Sequence, residues 1–258
     1  MSTHASERTF DAIDSPVSGI NVKKCLSGSA IKMIAVISMI IDHMTAYILV
    51  FYPVFLNQFG PSALNLNWYT IIRHITRIGF PLFCFGIVEG YIHTRDRRKY
   101  GLNILIFGLL SEIPWDLLHE GKIFAPRTQS VFFTLLLGYL GICVLEKYRD
   151  DKLRCTVLMV ALMLTAFVIH ADYGAKGMGL VVVMYIVRKN IAMLALSTGA
   201  LINPGSHGFG ALSAIPIALY NGERGFIKGK FWKYFFYLIY PGHLLLIYFL
   251  QFKLGFRH

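Results

Sequence analysis

Two adjacent ionisable residues lie inside the first long apolar segment of this sequence. Asp42 and His43 follow the apolar-rich stretch 31–41. Ionisable groups in the middle of a membrane span are costly, and they usually mark function or a paired structural contact. Histidine is the usual general base in proteins, and a carboxylate can fix its tautomer and raise its basicity. We therefore predict a base at His43, oriented by Asp42 or another carboxylate. The alternative is a structural contact between helices.

A second histidine lies in the last apolar segment, within Tyr240-Pro241-Gly242-His243. Proline lacks a backbone N–H and glycine weakens a helix, so we expect this helix to be interrupted here. The interruption would open the backbone beside His243. This histidine is therefore a second candidate for the base.

Two pairs of charged residues lie in the second and third apolar segments. Arg73 and Arg77 are four residues apart, as are Glu112 and Asp116. This spacing places both members of a pair on one helix face. We expect the two arginines to pair with the two acids, although such pairs can be purely architectural. The stretch 79–81, Gly-Phe-Pro, is expected to break the helix next to Arg77.

The elements that must position these residues are membrane helices. The chain has 258 residues, of which 55% are apolar and only 15% are charged, and its mean hydropathy is +0.56. Soluble domains carry about 25% charged residues. This composition argues against a soluble enzyme, a disordered chain and a nucleic-acid-binding protein. It favours a polytopic membrane protein, in which the net charge of +11 reflects basic cytoplasmic loops.

A span of the bilayer needs about 20 apolar residues. On that basis we predict an all-α transmembrane helical bundle of about nine spans, with a cytoplasmic N-terminus because the inside loops then carry most of the 25 Lys and Arg residues. Residues 1–29 would form a cytoplasmic tail and 30–258 a single membrane domain in a bacterial plasma membrane. The predicted spans are 31–51, 71–92, 101–118, 130–146, 154–170, 177–187, 191–203, 209–220 and 232–251.

A basic run follows the second span, with Arg95, Arg97, Arg98 and Lys99 close together. It is either an ordinary positive-inside loop or a phosphate-binding patch for a nucleotide-like donor. The histidines are not spaced as metal ligands on one helix, so we expect no metal. The sequence contains no glycine-rich nucleotide loop.

Several short motifs, taken in order, resemble the TraX family, which is named for the membrane protein that acetylates the N-terminus of a conjugative pilin. The family is similar, more distantly, to membrane acyltransferases that modify sugars. The resemblance covers about residues 28–250 and rests on the sequence stretches 40–43, 73–90, 94–100, 111–116, 133–138, 172–177 and 240–244.

The resemblance implies acetyl transfer from acetyl-CoA to an amine or a hydroxyl, such as a peptide or pilin N-terminus. We expect one histidine to deprotonate the acceptor, with direct attack and an acetyl-histidine intermediate both open. Arg77, with Arg73, would stabilise the oxyanion or anchor the donor. The candidate catalytic residues are His43, Asp42, His243 and Arg77. The candidate donor-binding residues are Arg73, Arg95, Arg97, Arg98 and Lys99, and the candidate acceptor-binding residues are Glu112, Asp116, Asp172 and Tyr173.

Two other classes of protein fit some of these features. Intramembrane Asp, Glu, His and Arg residues on broken helices also describe proton-coupled secondary transporters, although no internal symmetry is visible in the sequence. A membrane scaffold would use the same charges only to hold helices together. Consumption of acetyl-CoA separates an enzyme from both.

Overall fold

The structure is a computed structural model that describes residues 23–59, 66–202 and 208–256, with the backbone alone at positions 230 and 233. The described chain is helical, which confirms the predicted all-α class. Its helices are α1 Gly28–Tyr47, α2 Pro53–Leu56, α3 Trp68–Thr76, α4 Gly79–His93, α5 Arg97–Glu120, α6 Val131–Lys147, α7 Lys152–Val168, α8 Gly174–Val187, α9 Ile191–Ile202, α10 Ala214–Ala218 and α11 Gly229–Lys253. Short 3₁₀ turns occupy Leu49–Phe51 and Phe209–Ser213.

Each of the nine predicted spans coincides with helical structure. Among the described residues, four continuous stretches are long and apolar enough to cross a membrane: Gly28–Phe51, Trp68–His93, Arg97–Glu120 and Tyr234–Lys253. Three shorter apolar helices follow one another at Gly174–Val187, Ile191–Ile202 and Phe209–Ala218. The number of crossings and the cytoplasmic N-terminus stay predictions.

The second predicted span consists of two helices. α3 ends at Thr76, and Arg77 closes its last turn through a bond from its N–H to the carbonyl of His74. α4 begins at Gly79 with Pro81 in its first turn, where a missing N–H costs nothing. The expected break is therefore present, and it sets Arg77 at a helix junction.

The last predicted span is different from the expectation. α11 runs without interruption through Pro241 and Gly242, so the prediction of a broken helix at these residues is wrong. α5 likewise continues through Pro114. Proline removes one hydrogen bond from a helix, and packing on both sides can keep such a helix intact. His243 therefore projects from a continuous helix and is buried, with 7% of its surface exposed.

The bundle is held by close helix packing around a core in which α6 and α8 lie side by side. Gly138 and Gly141 of α6 face Val181 and Val182 of α8, where there is no room for an added methyl group. α1 packs against α3, α4 and α11. This arrangement brings the polar residues of the first, second and last predicted spans together.

The start of α1 is tied to the segment before α11. Leu26 and Tyr220 form a parallel bridge, and the Ser29 hydroxyl donates to the carbonyl of Arg224. Residues 25–29, which the sequence suggested as the end of a tail, are therefore attached to the helical domain. Residues 1–22 of the predicted tail lie outside the described residues.

Candidate active site

A histidine pair joins the first and last long helices. The Nδ1 atom of His43 in α1 lies 2.6 Å from the Nε2 atom of His243 in α11. The two rings are nearly parallel, with an interplanar angle of 9°. The two candidate bases of the sequence therefore form a single hydrogen-bonded unit.

The partner of the other His243 nitrogen fixes the direction of this bond. The Nδ1 atom of His243 lies 3.0 Å from the carbonyl oxygen of Ile239, one turn earlier. A carbonyl only accepts, so Nδ1 of His243 carries its hydrogen and Nε2 of the neutral ring is an acceptor. The hydrogen between the rings then belongs to Nδ1 of His43. Nε2 of His43 is consequently the basic nitrogen.

Asp42 has a different role from the one expected. Its Oδ2 atom accepts from Nη1 of Arg73 at 2.5 Å, and its Oδ1 atom bonds the Thr76 hydroxyl at 2.7 Å. The expectation that Asp42 orients His43 is thus replaced: His243 contacts the ring, and Asp42 fastens α1 to α3. Adjacent residues on a helix point about 100° apart, which sends the two side chains to different neighbours.

The proposed pairing of arginines with Glu112 and Asp116 is wrong. Oε1 of Glu112 accepts from the backbone N–H of Ser130, and Oδ2 of Asp116 accepts from that of Ala125. Both carboxylates belong to α5 and bind the loop that follows it. Buried backbone donors of a folded-back loop need acceptors, and these two acids supply them.

A small cavity lies against the histidine pair. Its volume is about 50 Å³. Arg77 and Tyr240 line it, and both the Nε atom of Arg77 and the Tyr240 hydroxyl are buried without a hydrogen-bond partner in the described part of the chain. The remaining lining residues are Met39, Asp42, His43, Thr76, Gly79, Phe80, Phe83, Val131, Asp172 and Tyr173. Three residues that line the cavity therefore carry a basic nitrogen, at His43, and two hydrogen-bond donors, at Arg77 and Tyr240.

Asp172 and Tyr173 are held at this cavity by the turn between α7 and α8. The Asp172 N–H donates to the carbonyl of Gln129, and the Tyr173 ring stacks on Phe80 with centroids 3.6 Å apart. Desolvation by the surrounding protein raises the pKa of Asp172 to about 7, and the guanidinium of Arg77 opposes the rise. The Asp172 side chain is also exposed to open space, so solvent acts in the same direction as Arg77.

That open space is a second, larger cavity of about 390 Å³ between the ends of α5 and α7. Trp115 and His119 form one wall and Phe167 and His170 the other. Asp172 lines this cleft as well as the small cavity. It is thus shared by the open cleft and the small cavity that His43 lines.

The cleft is also connected to the pair through Tyr47. The Tyr47 hydroxyl hydrogen-bonds Nε2 of His119, whose Nδ1 lies 2.9 Å from the carbonyl of Trp115. Because a carbonyl only accepts, Nδ1 of His119 carries the hydrogen, and the Tyr47 hydroxyl donates to Nε2 of His119. The ring of Tyr47 packs on His43 with centroids 6.3 Å apart.

The basic run lies far from this site. α4 has 15 residues between the site and the loop, which corresponds to roughly 22 Å of helix. Arg95 and Arg98 are exposed, Lys99 pairs with Asp96 at 3.1 Å, and the guanidinium of Arg97 lies 4.3 Å from the Tyr91 ring centre. A donor that contacts both places must be long, with its phosphates at one end and its reactive group at the other.

The structure adds four residues that the sequence analysis had not selected. Tyr240 lies three residues before His243, and Tyr47 lies four residues after His43. Thr76 lies three residues after Arg73, so helical spacing from a known site residue could have indicated all three. The fourth, His119, has no such signal, because its link to the site runs through Tyr47.

The fold and site define an all-helical protein with membrane-length helices and a histidine pair facing a small polar cavity. The chain belongs to the TraX family: the family described as TraX protein matches residues 27–251. This confirms the resemblance seen in the sequence.

One curated relative matches most of this chain. The probable fimbrial assembly protein FimC, serogroup H1, of Dichelobacter nodosus is 27% identical in an alignment of 248 residues, and the match covers 86% of this chain and 94% of that protein. No solved structure matches the chain. The family and this relative both support a membrane protein of the TraX type.

Proposed function

We propose that this protein is an integral-membrane acetyltransferase, which moves an acetyl group from cytoplasmic acetyl-CoA to an amine or hydroxyl acceptor at or across a bacterial plasma membrane. The observation that carries the proposal is the His43–His243 pair, whose hydrogen-bond order leaves a basic nitrogen beside a cavity with two free donors. Membership of the TraX family supports it. The relative named as a fimbrial assembly protein makes a peptide or pilin N-terminus a reasonable acceptor.

In the proposed reaction, Nε2 of His43 takes a proton from the acceptor as its nitrogen or oxygen attacks the thioester carbonyl carbon. The developing oxyanion would receive hydrogen bonds from Tyr240 and Arg77. The carbon–sulfur bond then breaks, and His43 returns the proton to the departing sulfur. A hydroxyl or a neutral amine and acetyl-CoA thus become acetylated acceptor and coenzyme A, with every proton accounted for. An acceptor that arrives as an ammonium first releases one further proton, because only the neutral amine can attack.

His243 would act as the positioning residue in this reaction. Its Nε2 atom holds the Nδ1 hydrogen of His43 and stabilises the ring when it becomes charged. A hydrogen bond to a charged group contributes about 1.5–3 kcal/mol. Arg73 and Asp42 would hold α1 and α3 in register, so that His43 and Arg77 meet at the cavity.

The two substrates would reach the site from different places. Asp172 lines both the cleft and the small cavity, so the cleft would offer an approach for the acceptor. The Asp172 carboxylate would suit an acceptor that carries an ammonium group. Tyr173 would complete that binding site. The exposed Arg95 and Arg98, with Arg97 and Lys99, would bind the phosphates of the donor at the other end of α4.

The test is acetyl-CoA turnover by the purified protein in detergent, with thiol release measured in the presence and absence of peptide amines and simple sugars. We expect acceptor-dependent release that is lost in His43→Ala. His93→Ala is the matched control, because His93 is an exposed histidine at the far end of α4. Full activity of His43→Ala would contradict the proposed base. A protein that never consumes acetyl-CoA would direct attention to the transporter class.

A further inference from the structure

Apolar side chains in the lining of the small cavity limit which acyl groups fit there. Its apolar wall consists of Met39 of α1, Phe80 and Phe83 of α4, and Val131 of α6. Met39 and Phe80 are buried, at 9% and 6% exposure, while Phe83 and Val131 are half-buried. An uncharged hydrocarbon group is the natural occupant of such a wall.

The volume of the cavity limits the size of that group. A cavity needs roughly 10–15 Å³ of this kind of volume for each water molecule. The observed volume of about 50 Å³ therefore holds roughly three to five non-hydrogen atoms. An acetyl group, with its methyl carbon, carbonyl carbon and oxygen, fits. Each further methylene brings the acyl group closer to the wall.

The wall itself has little freedom to retreat. Phe80 is stacked face to face on Tyr173, and Phe83 packs against both of the large core clusters. Overfilling a packed core forces side chains and backbone to move at a substantial cost. A longer acyl group would have to displace these side chains before its carbonyl carbon could reach His43.

We propose, on the basis of the acetyl-transfer function above, that Phe83, Met39 and Val131 set the acyl-chain length of the donor and restrict it to acetyl. Phe83 is the main determinant, because it is the largest wall residue that is not held in the stack with Tyr173. Shortening the wall residues opens the cavity to longer acyl groups without removing the base or the oxyanion donors.

The experiment measures kcat/KM for acetyl-, propionyl- and butyryl-CoA with one fixed acceptor. One methylene in a filled apolar pocket is discriminated by roughly 10- to 200-fold. We expect the unchanged protein to prefer acetyl over butyryl by at least that factor. In Phe83→Ala, the ratio of butyryl to acetyl transfer should rise by roughly tenfold or more. Val131→Ala should shift the ratio in the same direction.

Phe133→Ala is the matched control. Phe133 is also half-buried, lies on the same helix as Val131 and packs against Gly108 of α5 rather than lining the cavity. It should leave the acyl ratio unchanged. If Phe83→Ala does not yield folded protein, Phe83→Leu provides a milder reduction of the same wall.

The outcomes separate this inference from the proposed function. An unchanged protein that uses butyryl-CoA as well as acetyl-CoA overturns the length limit. The length limit is also overturned if the Phe83 and Val131 variants keep acetyl transfer with an unaltered ratio of butyryl to acetyl transfer. In both cases the acetyltransferase function still stands. If the unchanged protein consumes no acyl-CoA with any acceptor, the function fails and the inference fails with it.

Discussion

The Nδ1 atom of His43 donates to the Nε2 atom of His243 across a sequence separation of 200 residues. The direction of this bond follows from the contact of His243 with the carbonyl of Ile239. Two histidines in sequence could each have been the base. The hydrogen-bond order assigns the free basic nitrogen to His43 and makes His243 its partner.

Replacing His243 tests this order of roles. His243→Ala removes the acceptor for the His43 hydrogen. A hydrogen bond to a charged ring contributes about 1.5–3 kcal/mol, so kcat should fall by roughly 10- to 160-fold. The KM values for both substrates should change little. His243→Gln keeps an oxygen acceptor near the position of Nε2 and should recover part of the loss. Steady-state kinetics on the two variants measure this.

Equal losses in His243→Ala and His243→Gln would contradict a positioning role through this hydrogen bond. An inactive His243→Ala beside a fully active His43→Ala would reverse the two roles. Elution of each variant as a single species in detergent confirms that the loss is not one of folding.

Asp42→Asn tests whether Asp42 acts in structure rather than in orienting the base. The side chains of Asp42 and Arg73 are 15% and 22% exposed. Breaking a fully buried ion pair costs about 3–5 kcal/mol, and partial exposure should reduce this to about 1–3 kcal/mol. We expect a lower melting temperature but far more residual activity than in His43→Ala.

Arg73→Gln combined with Asp42→Asn is the corresponding double variant. Because it leaves no unpaired charge between α1 and α3, it should be less destabilised than the sum of the single variants. A stable Asp42→Asn protein with no activity at all would instead return Asp42 to the catalytic group.

The raised pKa of Asp172 predicts a pH dependence of stability. Desolvation raises its pKa to about 7 from an ordinary 3.8, and exposure to the cleft reduces this rise, so folding favours the neutral acid. Asp172 therefore contributes to the free energy of unfolding below its ordinary pKa. This contribution is lost as the pH rises from about 4 to 7, and above pH 7 no further loss from Asp172 occurs. Asp172→Asn removes this loss. The melting temperature of Asp172→Asn minus that of the unchanged protein should increase from pH 5 to pH 7 and stay constant above pH 7.

Thermal unfolding of both proteins in one detergent across this pH range measures the difference. A constant offset between the two curves from pH 5 to 8 would show that Asp172 ionises normally. Asp172→Asn should also raise KM for amine acceptors more than for hydroxyl acceptors, because only an ammonium group gains from the carboxylate.

Gly138→Ala tests the close packing of α6 on α8. An added Cβ would lie 2.6 Å from the Cβ of Val181. Overpacking of this kind costs about 1–3 kcal/mol, so the melting temperature should fall. Gly179→Ala in α8 is the control, since nothing lies within 4 Å of its added Cβ. It should be neutral or slightly stabilising, as removal of a helical glycine restricts the unfolded chain.

Val181→Ala should restore part of the stability when combined with Gly138→Ala, because the smaller side chain makes room for the methyl group. Destabilisation by Gly179→Ala equal to that by Gly138→Ala would argue against a specific contact between these helices.

Local sequence patterns were sufficient for the helices and for the selection of several residues that the structure brings together at the small cavity. The positions of the apolar segments and the break before Gly79 follow from hydropathy and from proline and glycine, which act over short distances. Polar residues inside apolar helices are costly, so Asp42, His43, Arg77 and His243 could be selected without knowledge of their neighbours.

The partners of these residues were decided by the tertiary structure alone. Equal spacing suggested that the two arginines of the second span pair with Glu112 and Asp116. In the structure these acids bind the loop after α5, and Arg73 binds Asp42. Spacing along one helix reports which residues share a face, and it carries no information on which other helix covers that face. Only the packing of α1 against α11 brings His43 to His243. That contact, together with the carbonyl of Ile239, determines which nitrogen is free to act as a base.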